Sequence, residues 1–274
     1  MSVENGILRI KANIEFPVEI RTTIEVPKIV ALIGPNLSGK TTFIEHTIIS
    51  LRNRGTKVFL MAPYITDYGD QEKYFEDNNN SLHDVVVEEK IDYVVYVNSR
   101  APSVLASDIS NLRKMLRASY LAEAISVADE ELFRIYSELK GAQHEEEYEV
   151  IDMILSKLNE DPHSISTYSA YVMTIAIYSY ALSKENRVLL LVDEPEAYTY
   201  PSVVYALARI FKHLAEKSDN MFMIIATHSW DFLTGLKSNL VRVYNFRRVG
   251  NKVNIEPLDK GLYIPGFSVS GLLA

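Results

Sequence analysis

The chain has 274 residues, 47% hydrophobic and 23% charged, a composition ordinary for a soluble globular protein with an ample core. Its 28 basic and 36 acidic residues leave a net charge of −8, which gives no support to strong non-specific binding of nucleic acid. The absence of cysteine excludes disulfides, thiolate zinc sites and cysteine nucleophiles, and the six histidines show no metal-ligand spacing.

Residues 1–10 contain Glu4 and Asn5 and lack a basic start before an apolar core, so they do not read as a signal peptide. The longest largely apolar stretch, 168–182, is interrupted by Ser169, Thr174 and Ser179 and is too short to span a bilayer. A cytoplasmic protein with no membrane span is expected.

In chain order, residues 7–14 and 18–26 alternate and are rich in Ile and Val, which predicts an antiparallel ribbon. An apolar strand over 28–33 follows, then a glycine-containing loop, then a helix over 41–51. A turn at Asn53-Arg54-Gly55 leads to a short buried strand over 58–61. The stretch 64–81 is polar and rich in Asp and Asn, which predicts an exposed loop, and 91–97 reads as another buried strand.

From 103 to 161 the pattern turns helical. Leu112, Leu116, Tyr120, Ala124 and Val127 recur at three- and four-residue spacing, as do Leu132, Ile135, Tyr136 and Leu139, and a further helix is expected over 146–158. No heptad pattern is sustained, so no long coiled-coil arm is expected. The α/β rhythm then resumes: helix 169–183, strand 188–192, helix 202–216, strand 221–226, helix 230–236, and strand 240–246 paired with 253–256 through Gly250-Asn251. Strands alternating with helices predict an α/β fold with a mostly parallel sheet. We read one domain over 1–274, with an α/β core of 1–102 and 165–274 and a helical insertion at 103–164.

The chemistry concentrates at the ends of three apolar strands. Gly34-Pro35-Asn36-Leu37-Ser38-Gly39-Lys40-Thr41-Thr42 fits the phosphate-loop pattern Gly-x-x-x-x-Gly-Lys-Ser/Thr between a strand and a helix. Glycines let the backbone wrap phosphate oxygens, and the helix start adds a partial positive charge. Lys40 would reach the β- and γ-phosphates, and the Thr41 hydroxyl would ligate Mg²⁺. The run Leu189-Leu190-Leu191-Val192-Asp193-Glu194-Pro195 ends in two carboxylates. Asp193 would hold Mg²⁺ through water, and Glu194 would activate the attacking water as general base, provided that it turns into the crevice at the strand's end. The next strand ends in Thr227-His228-Ser229, placing an imidazole that could sense the γ-phosphate and fix that water.

Taken in order, these segments resemble the ABC-class ATPases, and most of all the soluble branch of overcoming-lysogenisation-defect-type and chromosome-maintenance ATPases. Glu196 and Pro201 match the Asp-Glu-Pro-Glu-x-x-x-x-Pro form of that branch, and 93–100 is similar to its strand-plus-arginine segment. The resemblance implies a P-loop ATPase head that binds ATP and Mg²⁺, forms a homodimer on ATP binding, and switches a separate nuclease or DNA-associated partner. In that class a signature segment from the partner head closes each nucleotide. The matching stretch is Ile165-Ser166-Thr167-Tyr168-Ser169-Ala170, without the usual glycine pair, and the resemblance implies that Ser166 and Ser169 approach the γ-phosphate. For the glutamine loop, Gln71 comes early, while Asn98 or Arg100 follows a buried strand. Two other readings stay open at this point: the nucleotide-binding subunit of a membrane transporter, and a nucleotide-gated module without turnover.

Overall fold

The structure, a computed structural model, describes residues 7–15, 17–61, 85–98, 168–197, 201–258, 263–264 and 267–268. The expected loop over 64–81, the helices between 103 and 161, and with them the helical insertion, lie outside the described residues.

The chain starts with β1 (Leu8–Ile14) and β2 (Glu19–Val26), followed by β3 (Ile29–Ile33) and α1 (Lys40–Asn53). Then come β4 (Lys57–Met61), β5 (Val85–Val87) and β6 (Tyr93–Asn98). After these lie α2 (Tyr168–Leu182), β7 (Val188–Asp193), α3 (Pro201–Lys217) and β8 (Met221–Ala226). The last of the larger elements are α4 (Trp230–Leu236), β9 (Val241–Val249) and β10 (Lys252–Pro257).

The strands form one ten-stranded sheet in the order β4-β6-β7-β8-β3-β9-β10-β2-β1-β5. From β4 to β9 every neighbour pair is parallel. Beyond β9 the sheet turns largely antiparallel, with β9–β10, β2–β1 and β1–β5 antiparallel and β10–β2 parallel. The expected ribbon is present with Leu8 opposite Val26 and Ile14 opposite Ile20. β9 and β10, however, separate it from β3, the strand that it precedes in sequence.

The burial patterns follow from this layout. β3, β6, β7 and β8 are buried at every residue, because helices or the curled antiparallel strands cover both faces. Ile29 and Ala31 of β3 join one core with α2, α3 and α4. Val30 and Leu32 join a second with α1 and the strands β1, β2 and β5. β1, covered on one side, alternates buried and exposed at every step. Each fully buried Val, Leu or Ile contributes about 1.5–3 kcal/mol, so these two cores fix the sheet that carries the site.

β5 is a strand that sequence periodicity did not predict. Its three residues pair with β1, from Ala12 opposite Val85 to Ile10 opposite Val87. Side chains of α1 and its end hold it: the Ser50 hydroxyl donates to the Val85 carbonyl and Arg54 Nη1 to the Val87 carbonyl. Among the described residues, no helix is long and apolar enough to cross a membrane.

Candidate functional site

Parallel strands end together, so this order brings the C-terminal ends of β6, β7, β8 and β3 to one edge. Asp193 stands in register with Ala226 of β8, which stands in register with Leu32 of β3. The ladder continues past the strands: the Glu194 N–H donates to the Ala226 carbonyl at 2.8 Å, and the Thr227 N–H to the Leu32 carbonyl at 3.0 Å. The phosphate loop, the paired carboxylates and His228, read from separate parts of the sequence, therefore share one crevice.

The loop begins at Gly34, whose φ of 141° and close approach to β9 leave no space for a side chain. A Cβ there would lie 2.1 Å from the Phe246 carbonyl oxygen. Pro35, Asn36 and Leu37 form the exposed tip, and Ser38 and Gly39 return to the interior. Leu37 holds φ at 62°, a left-handed conformation that is unfavourable for its side chain. Gly39, at φ 100°, precedes α1 and supplies no side-chain cap, and the helix has no acidic residue in its first turn. By contrast, the Ser229 side chain caps α4 by accepting from the Phe232 N–H, and Asp231 lies in that first turn. The start of α1, without a side-chain cap, leaves N–H groups and a partial positive charge of the kind that suits an anion.

Lys40 is buried, and its Nζ donates to the carbonyls of Gly34 at 2.9 Å and Pro35 at 3.0 Å, with Ser38 Oγ at 3.4 Å. Burial pulls its ammonium below the ordinary lysine value, against the carboxylates of Asp193, Glu194 and Glu196, which push it up. The Thr41 hydroxyl donates to Asp193 Oδ2 at 2.8 Å, joining the first turn of α1 to the end of β7. Thr42 follows, half-buried.

Glu194 adopts φ 54°, and this left-handed step gives it an orientation that the alternation of a strand would not. Its Oε1 lies 3.5 Å from Nε2 of His228, and both side chains are partly open to solvent. The crevice thus combines a cation in a backbone cradle, a hydroxyl–carboxylate pair, and a carboxylate facing an imidazole.

The donor set fits Mg²⁺. Thr41 and Asp193 present hard oxygens at one point, and such an ion takes few protein ligands when substrate phosphates complete its shell.

No protein-family profile matches the chain, and no curated protein is similar to it in sequence. Solved structures do match. RNase-L Inhibitor is 14% identical with a TM-score of 0.52, over 93% of this chain and 40% of that longer one. A nucleotide-free ATP-binding cassette from an ABC transporter is 14% identical with a TM-score of 0.48, over 90% of this chain and 89% of that one. The SMC head domain from Thermotoga maritima is 11% identical with a TM-score of 0.48, over 92% and 98%. The shared fold is a mixed α/β one, a curled sheet of mostly parallel strands with an antiparallel part.

Within this fold, residues 34–42, Asp193, Glu194 and His228 come together at one sheet edge. Ser169 lies in the first turn of α2, whereas Ser166, Arg100 and Gln71 lie outside the described residues. Asn98 ends β6, buried, opposite Asp193 in register, and its Nδ2 donates to the Tyr96 hydroxyl at 2.7 Å. Sequence reasoning gave Glu196 no role beyond matching a motif. In the structure its Oε1 accepts the His228 main-chain N–H at 2.6 Å. The signal was present in Asp-Glu-Pro-Glu, where a third acid follows the first pair after one intervening residue.

Proposed function

We propose that this protein binds and hydrolyses ATP, and that ATP-dependent pairing of two heads makes it a switch for a partner protein. The observation that carries the reading is the Thr41–Asp193 hydrogen bond, because it joins the phosphate loop to the acidic strand end at the distance a shared cation needs. Residues 34–42 cradle the phosphates, with Lys40 exchanging the Gly34 and Pro35 carbonyls for phosphate oxygens. Thr41 and Asp193 would hold Mg²⁺, which would neutralise charge on the phosphates. Glu194 accepts the proton of the attacking water, and His228, beside it, orients that water and donates to the γ-phosphate. Ser166 and Ser169 of a second copy complete the site in this reading, and the homodimer relays the state of the nucleotide to a nuclease or DNA-associated partner.

Glu194→Gln tests the pairing, because removing the base while keeping the binding groups should trap ATP between heads. Light scattering with Mg-ATP is expected to show the variant at twice the mass of one chain. A mass of one chain at saturating nucleotide would refute the dimer switch.

A further inference from the structure

We propose that Glu196 is a positioning residue that sets His228 against Glu194, an inference that rests on the ATPase reading above. The turn after β7 carries both acids: Glu194 faces the crevice, and the Ala197 N–H donates back to the Glu194 carbonyl at 3.0 Å, closing the turn around buried Pro195. From that turn Glu196 reaches the segment after β8. Its Oε1 takes the His228 main-chain N–H at 2.6 Å.

The grip extends further along the second segment. Thr227, fully buried, accepts the Ser229 N–H at 3.0 Å on its hydroxyl, and Ser229 in turn caps α4 through the Phe232 N–H at 3.2 Å. The backbone on both sides of His228 is therefore fixed by Glu196 and by the cap. The imidazole itself is 34% exposed, so its position depends on that backbone more than on packing around the ring. One carboxylate thus ties together the two loops that carry the general base and its imidazole neighbour.

The other oxygen of Glu196 shows that stability alone does not account for a carboxylate here. Oε2 is buried without a hydrogen-bond partner, an arrangement that costs free energy. What the site gains is an acceptor oxygen at this reach, which glutamine also supplies, whereas aspartate has the acceptor but not the reach.

The experiment compares Glu196→Asp, which keeps charge but loses reach, with Glu196→Gln, which keeps reach but loses charge. Steady-state ATP hydrolysis is measured for each, alone and with His228→Ala. Because displacement of a reacting group by about 1 Å costs on the order of 100-fold, Glu196→Asp is expected to lower kcat by about 10–100-fold with KM for ATP nearly unchanged. Glu196→Gln is expected to stay close to wild type. In the His228→Ala background Glu196→Asp should cause no further loss, since the two act as one unit.

An independent readout is the His228 amide proton by NMR, expected far downfield in wild type and Glu196→Gln and shifted upfield in Glu196→Asp. Equal damage by Gln and Asp, additive losses with His228→Ala, or an unmoved amide proton would each overturn the inference. Should Glu196→Asp fail to fold, Glu196→Gln still decides through its kcat and its amide signal. A wild-type protein that hydrolyses no ATP overturns the functional reading instead, while the amide signal continues to report on the clamp.

Discussion

Two residues other than glycine hold left-handed backbone among the described residues, Leu37 and Glu194, and both belong to the crevice. Such conformations persist where surrounding structure imposes them, and they gather at sites where a group must be aimed. For Glu194 the imposing contact is its N–H bond to Ala226, which lets the residue after Asp193 leave the strand's alternation. Lys40 acts in the same crevice as a caged cation. Its replacement by Ala is expected to weaken ATP binding by about 100-fold or more, checked by calorimetry, since it removes a charge-assisted contact to phosphate. Unchanged affinity would remove Lys40 from the site.

Glu196 makes a prediction of a different kind. Burial is the main reason its carboxyl sits above the ordinary value of 4.5, against the hydrogen bond from the His228 backbone, which pulls it down. The folded state therefore retains a proton that the unfolded chain releases. Its contribution is favourable below pH 4.5 and is lost as the pH rises through the folded value. Glu196→Gln should then melt above wild type near neutral pH, with the gap closing on acidification below pH 4.5, as thermal unfolding across pH would show. A constant gap at all pH values would contradict this.

At the scale of elements, the packing of α4 on α3 holds the far side of the His228 segment, and it depends on one missing side chain. A Cβ on Gly235 would lie 2.5 Å from the Tyr205 carbonyl oxygen and 2.7 Å from the Ala208 Cβ. Gly235→Ala should cost about 2–4 kcal/mol and lower the melting temperature by roughly 5–10 °C, measured by calorimetry. A melting temperature equal to wild type would show that the helices part without cost.

Most of these elements were legible in the sequence because both of their faces are buried. β7 and β8 appear as unbroken apolar runs, and each ends where a charged or polar pair begins. The first motif residues of the crevice were legible for a related reason: loop, strand end and strand end are each local. What escaped was set by distant partners. β5 is too short to show a period, and it becomes a strand because the edge of β1 and the side chains Ser50 and Arg54 meet it. The place of β10 between β9 and β2 also follows from long-range pairing that no local pattern states. Glu196 escaped because its acceptor role joins two segments 32 residues apart.

For the whole molecule, the sheet order is what turns separate motifs into a site. β8 sits between β7 and β3, so the imidazole-bearing segment falls between the carboxylates and the phosphate loop. Two cores, one under α2, α3 and α4 and one around α1, make that edge rigid. In our reading ATP enters this edge, Glu194 drives its hydrolysis, and a second head closes over it.

The most direct test is phosphate release with Mg-ATP by the wild-type chain and by Glu194→Gln. Continuous turnover in the wild type is expected, with a loss of about 100-fold or more in the variant. Equal rates in the two proteins, or none in the wild type, would contradict the assignment of Glu194 as the base of an ATPase.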